Sequence, residues 1–230
     1  TFEMSSSRVL KRLLAHYCEI ENWKVQRGRV NEYEKDHIAR EALRLQSSLL
    51  WIRYVQGTWM QHLAAYEALL RQHPEIELVV IDYLGLISDI PGDSERHLQL
   101  GRVTRDLKAF AARLNVLVVG LAQFNRKTLE QDRPTLENFR ESGSLEMDAD
   151  ICVLLHAPDW KHNKDNNINA PEKLIMDIAK HRDGNTGVIE VCYDRRYCRI
   201  TEMGEADPVP DPEPSGVNND EEYEEQGSFL

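Results

Sequence analysis

The sequence of 230 residues contains no apolar run close to the roughly 20 residues that a membrane-spanning helix requires. Its four cysteines have no metal-site spacing, which favours free buried thiols in a reducing compartment. None of its 12 glycines is followed by lysine, so the Gly-x-x-x-x-Gly-Lys-Ser/Thr loop that cradles nucleotide phosphates is absent. The first absence excludes a spanning helix within these residues, and the last excludes a P-loop nucleotidase formed by this sequence alone.

Positive charge is missing from one end of the chain. From Glu202 onward there are ten acidic residues and no Lys or Arg, whereas the other 201 residues hold 29 acids and 28 bases. The net charge of -11 therefore describes a tail, and the near-neutral body is compatible with nucleic-acid binding. Because residues 204–230 also carry four prolines and acidic runs, we expect them to be a disordered acidic tail.

The most informative stretch is Leu-Val-Val-Ile-Asp-Tyr-Leu at residues 78–84. Its continuous apolar run is typical of a strand buried on both faces, as in a parallel sheet. Asp82 would then stand at the carboxyl end of the strand, where open α/β sheets bind ligands and where P-loop nucleotidases hold Mg²⁺. On this stretch alone, an Asp that opens a surface turn is an equally good interpretation.

Helical spacing and apolar runs alternate along the rest of the chain. The pattern predicts helices at residues 5–17, 31–45, 58–73 and 94–114, and further strands at 50–55, 116–121, 151–155, 173–179 and 188–193. This strand–helix–strand order predicts an α/β fold with a mainly parallel sheet and right-handed crossovers.

Two polar stretches could contact phosphates. Gln123 follows the strand at 116–121, and its neutral amide could sense a phosphate, although a single Gln more often caps a loop. Residues 140–150 read Arg-Glu-Ser-Gly-Ser-Leu-Glu-Met-Asp-Ala-Asp, and backbone N–H groups around Gly143 could approach a phosphodiester while Arg140 supplies charge. An ordinary polar loop is the simpler interpretation of this second stretch.

A predicted hairpin turn carries two cations. Asn185 and two glycines supply the positive-φ positions that such a turn needs. Lys180 and Arg182 are two residues apart, so on a strand both would face one side. Such a pair could reach a phosphate from outside, as an arginine finger does. Two solvated strand charges are the alternative.

In this order, the motifs resemble the RecA-like carboxy-terminal domain of DnaB-type replicative DNA helicases, without its Walker A segment. Residues 1–4 are similar to the family's Ser-Leu-Glu-Met, residues 78–84 to its Walker B strand, and residues 121–126 to its Ser-Gln-Leu-Asn-Arg. Residues 140–150 match its Arg-Glu-Ser-Gly-Ser-Ile-Glu-Gln-Asp-Ala-Asp almost letter for letter, and residues 179–187 are similar to Ala-Lys-Gln-Arg-Asn-Gly-Pro-Thr-Gly.

The resemblance implies a RecA-like ATPase core at residues 1–203, incomplete at its N-terminus, followed by the acidic tail at 204–230. It also implies roles for single residues. Glu3 would be the general base, Asp82 would bind Mg²⁺ through water, and Gln123 would sense the γ-phosphate. The residues that would reach the neighbouring subunit's nucleotide are Lys180 and Arg182, and those that would contact single-stranded DNA are Arg140, Glu141 and Gly143.

The function implied is the C-terminal part of a hexameric, ATP- and Mg²⁺-dependent helicase that translocates on single-stranded DNA and unwinds duplex at the replication fork. Its expected partners are single-stranded DNA, a homo-hexamer or a split-helicase partner that carries the Walker A segment, and, through the tail, primase, polymerase or a helicase loader. A tail that only increases solubility is an equally good interpretation of the acidic segment. The expected location is the cytoplasm of a bacterial or phage-infected cell, with no membrane contact. The alternative function is a non-catalytic module that binds single-stranded DNA or docks on a helicase without ATPase activity.

Overall fold

The first helices form a small layer with its own core. The computed structural model describes residues 1–87, 96–125, 128, 133–139, 143–158 and 171–203. Helices α1 (Ser6–Cys18), α2 (Asn22–Arg27) and α3 (Glu32–Gln46) open the chain. Asn31 begins α3 with a reciprocal capping box to Glu34, which satisfies two otherwise unpaired N–H groups. The buried side chains that hold this layer together are Leu14, Ala15, Cys18, Ile20, Val25 and Leu45.

The second layer contains a parallel strand pair covered by two helices. Helix α4 (Trp59–Gln72) precedes β1 (Leu78–Ile81), and α5 (Arg96–Leu114) connects β1 to β2 (Leu117–Gly120). The two strands pair in parallel, with Ile81 opposite Gly120. The core between helices and strands consists of Trp59, Ile81, Leu84, Ile87, Leu100, Val103 and Leu107.

The other face of β1 and β2 carries apolar side chains that stay exposed. We call it the open sheet face, and its residues are Leu78, Val80, Leu117, Val119 and Leu121. These side chains keep 37–64% of their surface accessible. Parallel sheets are ordinarily covered on both faces, so an exposed aliphatic face of this kind is unusual.

The remaining strands form an antiparallel sheet. It is ordered β3 (Ile151–His156), β4 (Glu172–His181), β5 (Gly187–Asp194) and β6 (Arg199–Glu202), and a short helix, α6 (Gly143–Asp148), leads into β3. The predicted closing pair is therefore confirmed as β4 and β5. Antiparallel pairing is more extensive than the sequence predicts, because short turns join β4 to β5 and β5 to β6 and such turns can link only antiparallel strands.

The prediction of a strand at residues 50–55 is wrong. The segment has no regular secondary structure, and its backbone makes isolated bonds instead of a ladder: Val55 N–H donates to the Thr1 carbonyl at 3.2 Å, and Tyr54 N–H donates to the Ser6 hydroxyl at 3.1 Å. A strand needs a ladder of such bonds, and residues 1–4 bend away instead of providing one. None of the described helices combines the length and apolar character needed to cross a lipid bilayer.

Substitution of Leu107 tests how much the core that positions β1 and β2 contributes to the free energy of unfolding. Leu107 is 6% exposed, whereas Leu43, on α3, is 67% exposed. We expect Leu107→Ala to lower the free energy of unfolding by about 2–5 kcal/mol, because it removes buried methyl groups and leaves a cavity. The control Leu43→Ala should change it by less than about 0.5 kcal/mol. Urea denaturation of the 230-residue chain measures both, and equal effects would contradict this description of the core.

Candidate functional site

The carboxyl ends of β1 and β2 lie at one edge of the parallel pair. Asp82 follows the end of β1 and Gln123 follows the end of β2. Asp82 comes directly after β1 and is half-buried, and Gln123 is exposed three residues after β2. The edge is fixed by backbone bonds, since Leu121 N–H donates to the Ile81 carbonyl and Leu84 N–H to the Leu121 carbonyl, each at 2.9 Å. An acidic and an amide side chain are therefore brought to the edge where α/β sheets bind ligands.

Glu3 belongs to a segment that lies against the same edge from the other side. Phe2 N–H donates to the Asp82 carbonyl at 2.7 Å. Because successive carbonyls of a strand point to opposite sides and Ile81 faces β2, residues 1–3 must lie on the side of β1 away from β2. Glu3 and Met4 form a bend, and Glu3 is exposed. The order across the edge is therefore Glu3, Asp82, Gln123.

The donor set at this edge fits one kind of metal ion. Within the described ranges, no group of three His, Cys, Asp or Glu side chains is arranged to hold a metal. Mg²⁺ does not need such a cage, because it keeps several waters and is bound by one or two carboxylates together with substrate phosphates. The half-buried Asp82 carboxylate fits that mode of binding.

Lys180 lies at the end of β4 and holds the C-terminus of α6. Its Nζ donates to the backbone carbonyls of Glu146, Met147 and Ala149, the last at 2.8 Å. The last carbonyls of a helix have no partners within the helix and carry partial negative charge, so a cation there is stabilising. We call residues 148–150, which connect α6 to β3, the α6–β3 junction.

Arg182 also contacts the α6–β3 junction. Its Nη1 donates to Asp150 Oδ1 at 2.8 Å, and its backbone N–H donates to the Asp150 carbonyl at 2.9 Å. The Arg182 side chain is 48% exposed, so it can still reach solvent or a neighbouring molecule. The two cations that the sequence singles out are thus brought together on one short segment.

Two residues of α5 complete this cluster, and sequence reasoning missed both. Lys108 Nζ donates to Asp150 Oδ1 at 2.7 Å and to the Asp148 carbonyl at 2.9 Å, and the Thr104 hydroxyl donates to the Asp148 carboxylate. The Lys108 hydrogen bond, helped by the charges of Lys108, Arg182 and Lys180, lowers the pKa of the Asp150 carboxyl below its ordinary value. The only sequence signal for these residues is their spacing of four, which places them on one helix face.

The segment before α6 is held by a buried carboxylate. Asp177 on β4 is buried, and Arg133 donates to its Oδ2 through Nη2 at 2.7 Å and through Nε at 3.1 Å. Arg140 and Glu141 lie outside the described residues, and Gly143 is the first residue of α6. Of the three predicted DNA contacts, only Gly143 is described, at the start of α6, and the far end of that helix meets Lys180.

The fold and its carboxyl edge define a RecA-like helicase ATPase domain. The family model described as "DnaB-like helicase C terminal domain" matches residues 1–202, and the chain belongs to that family. The solved structure of an ATPase domain is similar with a TM-score of 0.77 and 29% identity, covering 87% of this chain and 72% of that one. A solved DnaB-like replicative helicase, described with its interactions with primase, has the same TM-score and identity and covers 87% of this chain and 50% of its own.

Curated relatives are replicative DNA helicases DnaB from bacteria. The protein of Mycobacterium leprae is 33% identical over 205 residues, which cover 88% of this chain and 33% of the relative. That of Rickettsia bellii is 28% identical over 229 residues, with 91% of this chain and 46% of the relative covered. The chain thus spans a third to a half of the length of these relatives. The predicted family and RecA-like fold are confirmed, these relatives favour the helicase over the non-catalytic module, and the roles of single residues stay predictions.

The role of Lys180 as a cap of α6 can be tested by hydrogen exchange. Lys180→Met removes the cation from the last carbonyls of α6, so we expect the Ala149 amide, which donates to Leu145, to exchange roughly two- to five-fold faster. Lys173→Met is the matched control, because Lys173 lies on the same strand and pairs with Glu190 instead. Equal exchange in both variants would contradict the capping role.

Proposed function

We propose that this chain is the C-terminal, RecA-like part of a hexameric replicative DNA helicase, which hydrolyses ATP with Mg²⁺, translocates on single-stranded DNA and unwinds duplex at the replication fork. The observation that carries the proposal is the order Glu3, Asp82, Gln123 across the carboxyl edge of a parallel strand pair. Membership of the DnaB-like family supports it. The proposed location is the cytoplasm of a bacterial or phage-infected cell, and the bacterial relatives support this proposal.

Each residue at the edge has a chemical task in this proposal. Asp82 holds Mg²⁺ through water, and the ion, when bound, neutralises charge on the phosphates. Glu3 is exposed and accepts a proton from the attacking water as general base. Gln123 contacts the γ-phosphate through a neutral amide, so it reports the phosphate without adding charge. The proposed core is residues 1–203 and the proposed tail is 204–230.

The site works together with a P-loop-bearing segment, in the same polypeptide or in a split-helicase partner. The sequence itself has no Gly-x-x-x-x-Gly-Lys-Ser/Thr. The open sheet face supports the proposal from the structural side, because a P-loop unit consists of a strand, the loop and a helix, and such a helix buries an apolar face on a sheet.

Neighbouring subunits complete one another's sites. Lys180 lies at the end of β4 and Arg182 directly after it, and we assign both to the nucleotide of the adjacent subunit, which requires a ring. Arg140, Glu141 and Gly143 belong to the loop that contacts the backbone of single-stranded DNA. Such contacts are independent of sequence and weaken steeply with salt, because binding releases counterions.

Substitutions in the native assembly that contains this chain test the catalytic assignment. Asp82→Asn keeps the shape and removes the charge, so ATP hydrolysis should fall by roughly 10²-fold or more, as for other single electrostatic contacts to a transition state. Arg182→Ala should lower it by roughly 10³- to 10⁵-fold, as expected for an arginine finger. Asp36→Asn, at an exposed position on α3, is the control. Hydrolysis that survives both substitutions, in an assembly of normal mass, would refute the proposal.

The native mass of the assembly tests the proposed partner. A six-membered ring that includes P-loop-bearing mass agrees with the helicase proposal. A lone species of 26.6 kDa would contradict it and favour the non-catalytic module.

The acidic tail is proposed to dock on a basic partner with an apolar pocket, either primase, polymerase or a helicase loader. The sequence supports this through its acidic run and terminal Phe229-Leu230. We expect deletion of residues 205–230 to abolish binding to the replicative polymerase of the same source, measured by surface plasmon resonance at low salt, and to leave ATP hydrolysis unchanged. Retained binding would show that the tail is not the docking element.

A further inference from the structure

Asp150 is shared by two cations from different parts of the fold. Lys108 on α5 and Arg182 after β4 donate to the same atom, Asp150 Oδ1, at 2.7 and 2.8 Å. Lys180 reaches the carbonyl of the preceding residue, Ala149. Three positive charges therefore surround one carboxylate, which is consistent with the lowered pKa of Asp150.

A carboxylate with two cationic partners can release one of them while its negative charge is still compensated by the other. If Arg182 leaves, Lys108 still pairs with Asp150. The Asp150 side chain is also 57% exposed, and exposed ion pairs contribute little to stability, so the exchange of partners is inexpensive. Arg182 is thus held at the α6–β3 junction by a contact that a phosphate could readily replace.

The junction is also connected to the proposed DNA loop. α6 begins at Gly143, which belongs to that loop, and ends directly before residues 149 and 150. α6 is only six residues long and its last carbonyls are bonded to Lys180, so seven positions separate Gly143 at its start from Asp150.

We propose that Asp150 is a positioning residue that holds Arg182 away from the neighbouring nucleotide until single-stranded DNA engages the start of α6, and that Lys108 compensates the charge of the carboxylate when Arg182 leaves. This inference rests on the proposed function, since it assumes that Arg182 acts on the adjacent subunit's nucleotide. It adds two residues, Lys108 and Asp150, to those that control hydrolysis.

Two substitutions should change ATP hydrolysis in opposite directions. Asp150→Asn weakens the hold on Arg182, so hydrolysis without DNA should rise roughly two- to five-fold, and stimulation by a poly(dT) single strand should fall by a similar factor. Lys108→Met leaves Arg182 as the remaining side-chain partner of Asp150 among the described residues, so the release of Arg182 would leave the carboxylate without a cation. Hydrolysis without DNA should therefore fall roughly two- to five-fold. The native assembly is used for both measurements.

Glu190→Gln provides the matched control. It removes an ion pair of similar exposure with Lys173 on the same sheet, away from the α6–β3 junction, and should change neither rate. Asp150→Glu keeps the carboxylate and should restore the low DNA-free rate. If Asp150→Asn lowers the native mass or the unfolding temperature, Lys108→Met and Asp150→Glu still test the inference.

The outcomes separate this inference from the proposed function. Suppose that Arg182→Ala abolishes hydrolysis. If Asp150→Asn and Lys108→Met then shift the DNA-free rate in the same direction, or change it no more than Glu190→Gln does, Asp150 has only a structural role. That result would overturn the inference. If Arg182→Ala leaves hydrolysis intact, the inference loses its premise, and if Asp82→Asn leaves it intact as well, the proposed function itself fails. Opposite shifts together with restoration by Asp150→Glu support the inference.

Discussion

The parallel pairing of β1 with β2 is the constraint on which the candidate site depends. It sets Ile81 opposite Gly120, and this register brings Asp82 and Gln123 to the same edge although 41 positions separate them. The pairing is in turn maintained by α4 and α5, whose Trp59, Val103 and Leu107 are buried against the strands. A hydrogen bond from the Trp59 indole to Asp106 at 2.8 Å connects the two helices and satisfies the polar atom of a side chain that is otherwise buried.

The α6–β3 junction organises the other half of the site. Lys180 and Arg182 come from the end of β4, Lys108 from α5, and all three meet a segment of three residues. The two proposed trans-acting cations and Gly143, the last of the proposed DNA contacts, therefore lie at opposite ends of one short helix. The open sheet face completes the description, because its exposed aliphatic side chains agree with the proposal that the site works together with a further segment.

Elements with a strong local pattern were predictable. The apolar runs at β1 and β2, the spacing of α5 and the turn between β4 and β5 are each encoded in consecutive residues, and all of these elements form. Two details of the prediction are wrong: β1 and β2 leave one face exposed instead of burying both, and Gly184, Asn185 and Gly187 in the turn do not have the positive φ that was expected. The strand predicted at 50–55 does not form, because an apolar pattern produces a strand only where a partner supplies a ladder. The extent of antiparallel pairing was also underestimated, since buried apolar strands look alike in sequence whichever direction their neighbours run.

The sequence by itself determined the motifs, their order, the missing phosphate loop and the concentration of acid after residue 201, because each is a property of residue types at fixed spacing. Only the tertiary structure decided which side chains meet. Lys108 and Asp150 are 42 positions apart, and nothing local to either predicts that they share an oxygen with Arg182. Their contact depends on how α5 packs against α6 and β3, and packing between distant elements is a collective result of the whole core rather than of any one segment.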